Sequence, residues 1–254
     1  MHTVRTGPVI GLTLQVAVLA VLAGTAGLGS AGWLGGIGYG AVTCTALMWG
    51  LSRSDATELG PADRVTLTRA TLVGTVAALT IDSFDRPVPV VVLVTLATVA
   101  LVLDGVDGQV ARRTGTASEL GARFDMEVDA SLILVLSVHV AGPVGAWVLA
   151  IGAMRYAFVL ATWLLPWLRG SLPPRFWRKV VAATQGVVLV LATADVLPAP
   201  LTAAALVVSL ALLVESFGRD VGWLWQHRPV RPALVLGPDG IGAGVEPVGA
   251  RMRM

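Results

Sequence analysis

Apolar stretches close to the roughly 20 residues needed to cross a bilayer recur along most of this chain, and no other feature restricts its fold as tightly. A backbone inside lipid must satisfy its own hydrogen bonds, and runs of this length do so as helices. Of the 254 residues, 55% are hydrophobic and 13% charged, whereas a soluble domain carries about a quarter charged residues because its surface meets water. The expected fold class is all-α, a polytopic transmembrane helical bundle. Spans are predicted at about Pro8 to Leu28, Trp33 to Leu51, Thr66 to Ile81, Val88 to Leu103, Leu120 to Ala141, Val144 to Leu165, Val180 to Val196 and Leu201 to Phe217. The first of these also has the form of a signal-peptide core, with Arg5 before it and small residues Ala23 and Ala26 near its end.

Short loops rich in Lys and Arg stay in the cytoplasm. Arg5, Arg53, Arg64, Arg69, Arg112, Arg113, Arg169, Arg175, Arg178, Lys179 and Arg219 fall on one side of the predicted spans, and Arg86 on the other. Both ends of an eight-span chain are therefore expected in the cytoplasm, together with the loop between Leu103 and Leu120. Residues 52–65, with Asp55, Glu58, Asp63 and Arg64 among small apolar residues, suit either an interfacial helix or a plain connector. The segment 219–254, rich in Pro, Gly and Val from Arg228 on, is expected to be a cytoplasmic tail without ordered structure. Gly32, Gly36, Gly38 and Gly40 would let another helix approach closely. The single cysteine, Cys44, lies in an apolar run and is expected to be core filler; His2, His139 and His227 are scattered and have no metal-ligand spacing.

Four carboxylates stand out at the facing ends of two neighbouring spans, in the stretch DGVDGQVARRTGTASELGARFDMEVD from Asp104 to Asp129. An ionised Asp at a helix centre costs about 2.5 to 3.5 kcal/mol even on the lenient insertion scale, so such groups persist when paired, hydrated or bound to metal. Asp104 and Asp107 are three residues apart, and Asp125 and Asp129 four apart, so each pair projects from one helix face. Gly121 lies one turn before Asp125 on the same face, where a missing side chain leaves room for a ligand, and Gly105 and Gly108 open the backbone around the first pair. Two such helix ends would make a cage of hard oxygen ligands suited to Mg²⁺ or Mn²⁺, and two ions roughly 4 Å apart can clamp both attacking and leaving oxygens in phosphoryl transfer. Arg112, one or two turns from the acids, offers a fork for a phosphate. A plainer account pairs the aspartates with Arg112, Arg113 and Arg123 at a wet membrane surface.

The pattern resembles the signature of the CDP-alcohol phosphotransferase (CDP-alcohol phosphatidyltransferase) family, D-x2-D-G-x2-A-R-x8-G-x3-D-x3-D. Asp104, Asp107, Gly108, Ala111, Arg112, Gly121, Asp125 and Asp129 meet every specified position. The family also tends to open with N-x-x-T-L-x-R, matched here by Asp63, Thr66, Leu67 and Arg69 with Asp in place of Asn. The resemblance implies a six-helix core over residues 66–218, preceded by two further spans in residues 1–51. It implies that Asp104, Asp107, Asp125 and Asp129 bind metal, that Asp129 is also the general base, and that Gly108, Ala111, Arg112 and Gly121 line the CDP site. The residues agree with such a reaction. An alcohol is a weak nucleophile at neutral pH and needs a carboxylate to accept its proton, while no Ser, Cys or His is arranged for a covalent intermediate.

For the acceptor, Arg155 in the sixth span and Arg178 and Lys179 at the entry of the seventh are the available cations. The G-K-x-K-T-x-x-Q run of members that use glycerol phosphate is matched only by Lys179 and Gln185, with Val181 and Ala182 replacing the second Lys and the Thr, which counts against glycerol 3-phosphate. The expected partners are a CDP-linked donor, foremost CDP-diacylglycerol, an alcohol acceptor and membrane lipid. Transfer of choline or ethanolamine phosphate to a lipid alcohol stays open, as do pairing of two copies and, in another class, a divalent-cation transporter without chemistry. Nothing points to nucleic acid.

Overall fold

The computed structural model describes residues 6–53, 61–114, 118–170, 172–173 and 175–228. They form eight α-helices: α1 (Thr6–Ala26), α2 (Ser30–Arg53), α3 (Pro61–Asp82), α4 (Val90–Thr114), α5 (Glu119–Val144), α6 (Leu149–Leu164), α7 (Phe176–Ala194) and α8 (Ala199–Gln226). Short 3₁₀ turns follow α5 and α6, and the described residues contain no strand. Seven helices are long and apolar enough to cross a membrane, so this is an integral-membrane architecture. The eighth, α4, has an apolar stretch over Val90–Val106 and runs as helix to Thr114.

Each predicted span corresponds to one helix, with shifts at the ends. α3 starts at Pro61, where a proline's fixed φ suits the first helical position, so Asp63 and Arg64 belong to α3 and not to a separate interfacial segment. Residues 54–60 of that expected segment lie outside the described residues. α8 runs to Gln226, past the core limit expected at residue 218, and the Glu215–Arg219 ion pair one turn apart supports this extension. The rest of the expected tail, residues 229–254, lies outside the described residues.

Lipid tails are as apolar as leucine, so close packing by small residues must hold such helices together. α3 is the central helix, with 72% of its apolar window buried, and it packs against α1, α2, α4 and α5. Of the four glycines singled out in α2, Gly32 and Gly36 face Ala78 of α3 and Gly40 faces Leu12 and Gln15 of α1, while Gly38 has open space around it. On α3, Gly74 receives Gln15 and Tyr39; Gly152 of α6 lies against Leu134 of α5, and Gly186 of α7 against Leu101 of α4. Cys44 is buried, as its apolar setting predicts. Between α7 and α8, the Gln185 amide donates to the Ser209 carbonyl at 2.9 Å and accepts from the Ser209 hydroxyl at 2.6 Å, so two buried polar groups satisfy each other.

One end of the bundle is fastened by Asp82. Its carboxylate accepts from the Gly29 amide at 3.1 Å and from Arg86 at 2.6 Å, tying the α1–α2 turn to the α3–α4 turn. Gly27 adopts a φ of 72° to end α1 just before that turn. His139 also lies toward this end, 3.5 Å from the Ser83 hydroxyl, far from the acidic residues.

Candidate active site

The other end of the bundle gathers the acids. Asp82 is the last residue of α3, and Arg69 lies thirteen residues before it, about 20 Å along the helix. Arg69 is only 1% exposed and uses all three of its nitrogens. Its Nε donates to the Ala100 carbonyl of α4 at 3.2 Å, one terminal nitrogen bonds Asp125 of α5, and the other bonds Asp129 of α5 and Asp104 of α4, the last at 3.0 Å. The planar fork of a guanidinium makes this possible, whereas an ammonium could not span three carboxylates and a carbonyl with fixed directions. One buried cation thereby fixes three helices at one level.

The carboxylates themselves are between 32% and 42% exposed. The guanidinium is therefore the floor of the site and the acids its open rim. Each acid gives Arg69 its Oδ1, and a carboxylate with two oxygens and about four lone-pair sites keeps further capacity. Asp104, Asp125 and Asp129 can each present one oxygen such that all three lie within 4.8 Å of one another. Among the described groups, three carboxylates meet one guanidinium. An all-oxygen, acidic, partly open site fits a hard divalent cation.

Local structure explains the placement. Ser118 caps α5 by accepting from the Gly121 amide at 2.9 Å, a contact of about 1 kcal/mol that fixes where the helix begins and so where Asp125 and Asp129 point. The space beside Gly121, expected to be room for a ligand, holds the Asp63 carboxylate and the Ser118 hydroxyl, with which a Cβ there would overlap. Gly121 thus lets the start of α3 pack onto the start of α5. Gly105, by contrast, has no described residue within 4 Å of where its Cβ would be. Asp107, Gly108, Ala111 and Arg112 continue the backbone of α4, and their side chains lie outside what the structure describes.

The three cations expected at the acceptor are spread out. Arg155 of α6 pairs with Glu127, which lies two residues from both Asp125 and Asp129 and hence on the far face of α5. It does not join the aspartates. Arg178 is held by Asp220 of α8 at 3.1 Å, and Lys179 beside it is exposed. Because Gly186 packs on Leu101 in antiparallel helices, Arg178 and Lys179 lie level with the stretch of α4 that begins near Asp107. Gln185 is consumed by its exchange with Ser209, so its match to the glycerol phosphate run has no counterpart in the site.

Sequence reasoning did not foresee the role of Arg69. The available signal was its place in the D-x-x-T-L-x-R match, together with its being a charge inside the predicted span Thr66 to Ile81.

Residues 61–214 match the sequence model of a family described as CDP-alcohol phosphatidyltransferase, which takes in α3 to α7 and most of α8 and leaves out α1 and α2. No curated protein and no solved structure matches the chain.

Removing Arg69 leaves three carboxylates facing one another beside a buried gap. Arg69→Ala should destabilise the purified protein by about 1.5 to 3 kcal/mol, the range for losing hydrogen bonds to charged groups, and Arg69→Lys should lose less. Chemical denaturation in detergent micelles checks the order; equal stability of Arg69→Ala and the parent would show that the ion pairs contribute nothing to the fold.

Proposed function

The chain belongs to the CDP-alcohol phosphatidyltransferase family, and from that premise we propose that it transfers a phosphatidyl group from CDP-diacylglycerol to a hydrophilic alcohol, releasing CMP, in phospholipid synthesis. Enzymes of this family pass a phosphate-bearing group from a CDP-linked alcohol to an acceptor and use a divalent metal. The observation that carries the proposal is the convergence of Asp104, Asp125 and Asp129 on one buried arginine, inside the matched segment and at one end of a membrane bundle. A diacylglycerol tail can stay in lipid while its diphosphate meets that end.

In this account Asp104, Asp107, Asp125 and Asp129 hold Mg²⁺ or Mn²⁺, in all two ions. When bound, the metal supplies positive charge to the diphosphate oxygens. Gly108, Ala111, Arg112 and Gly121 belong to the CDP side, with Gly121 acting through the close packing of Asp63 and Ser118. Asp129 accepts the proton of the acceptor hydroxyl as its oxygen attacks phosphorus, and the bond to the CMP oxygen breaks. Arg178 and Lys179, at the level where the acidic end of α4 opens, are the better acceptor contacts, and Arg155 is left to its pair with Glu127. Transfer of an alcohol phosphate from a soluble CDP donor to a lipid alcohol is the alternative assignment of the same chemistry.

Purified protein should release CMP from CDP-diacylglycerol when given labelled alcohols, and a chelator should stop it. Turnover that persists in metal-free buffer would contradict the assignment of the acids. Asp129→Asn should retain most donor affinity while turnover falls by about 10² to 10⁴, the contribution of a positioned base; normal turnover in this variant would place the base elsewhere. The arginine asymmetry further supports a cytoplasmic site. Cysteines introduced at Thr114 or after Arg228 should resist impermeant thiol reagents in intact cells, and ready labelling would reverse the orientation.

A further inference from the structure

α1 and α2 lie outside the segment that matches the family, yet α2 reaches the helix that carries two of the acids. The Tyr39 hydroxyl of α2 lies 2.8 Å from the Ser131 hydroxyl of α5, two residues beyond Asp129. The Ser131 hydroxyl also lies 2.8 Å from the Val128 carbonyl; when it donates there, Tyr39 is the donor to Ser131. Eleven residues away in the opposite direction along both helices, Gly50 of α2 receives the side chain of Leu120 at the start of α5, where a Cβ would overlap it. The two contacts share one antiparallel register. Between them α2 follows α5 for about 16 Å, and Asp125 and Asp129 lie inside that stretch.

A serine that bonds the carbonyl three residues back loosens and bends a helix turn. Here the turn with that bond, Val128 to Ser131, contains Asp129, and the same serine hydroxyl is bonded by Tyr39. Tyr39 is itself packed at Gly74 of α3, five residues beyond Arg69 in the same helix.

We propose that Tyr39, from the N-terminal hairpin outside the family core, is a positioning residue for the active site, setting the turn of α5 that carries Asp129 through its hydrogen bond to Ser131. This rests on the assignment of Asp129 to the metal and base roles, and the test separates the two. Mn²⁺ affinity would be measured calorimetrically on the purified full chain, with Asp125→Asn as the control for the site itself. Tyr39→Phe and Ser131→Ala, which alter one hydroxyl each, should both weaken Mn²⁺ by about three- to ten-fold, the factor a single net hydrogen bond contributes. The double variant should be no weaker than either single one, and melting temperatures should stay close to the parent's.

Unchanged Mn²⁺ affinity in Tyr39→Phe beside clear loss in Asp125→Asn would overturn the proposal while leaving the metal site standing. If the parent and Asp125→Asn bind Mn²⁺ equally or not at all, it is the metal assignment that fails, and amide hydrogen exchange then decides on Tyr39. Faster exchange over residues 128–132 in Tyr39→Phe supports the positioning role, and unchanged exchange there overturns it.

Discussion

A single buried guanidinium determines how the acidic end of this bundle is built. Arg69 enters from the central helix, bonds the Ala100 carbonyl, and meets carboxylates from α4 and α5. Without that charge, Asp104, Asp125 and Asp129 would repel one another in a medium that screens poorly. With it, the three remain together and keep carboxylate oxygens open to a cation from solvent. Structure and chemistry thus share one balance of charges: the arginine holds the acids at a distance where they can bind metal, and does not neutralise them completely.

Around this floor the helices are set by small residues more than by large apolar ones. Gly121 admits Asp63, Gly74 admits Tyr39 and Gln15, and Gly186 admits Leu101. Each close approach has a consequence at the acidic end. The first brings the start of α3 onto the capped start of α5, the second seats the N-terminal hairpin, and the third brings the entry of α7, with Arg178 and Lys179, alongside α4. At the opposite end Asp82 ties the two turns together, so the hairpin is held to the core at both levels. The extra helices are in this sense part of the scaffold that presents Asp129.

Much of this was legible in the sequence. Span length and hydropathy revealed eight helices, and helical spacing put Asp125 and Asp129 on one face, because both depend on local periodicity. What periodicity cannot carry is the partner across space. Arg69 looked like one more residue of the positive side, and only the packing of α3 between α4 and α5 makes it the common partner of three acids. Arg155 drew attention as a charge within a span, but its partner Glu127 lies on the far face of α5. Gly121 was read as leaving room for a ligand, yet the group filling the space is a protein carboxylate. Gln185 matched a sequence run and is occupied by Ser209. In each case the residue could be read from the sequence and its partner could not.

The central claim is that the carboxylates above Arg69 hold a divalent ion against the donor's diphosphate. Phosphorus-31 electron–nuclear double resonance on Mn²⁺-loaded protein with CDP-diacylglycerol observes that contact directly. The account predicts a resolved phosphorus coupling that disappears in the Asp104→Asn, Asp125→Asn double variant. Mn²⁺ that binds without phosphorus coupling, or a coupling that survives the double substitution, would contradict it.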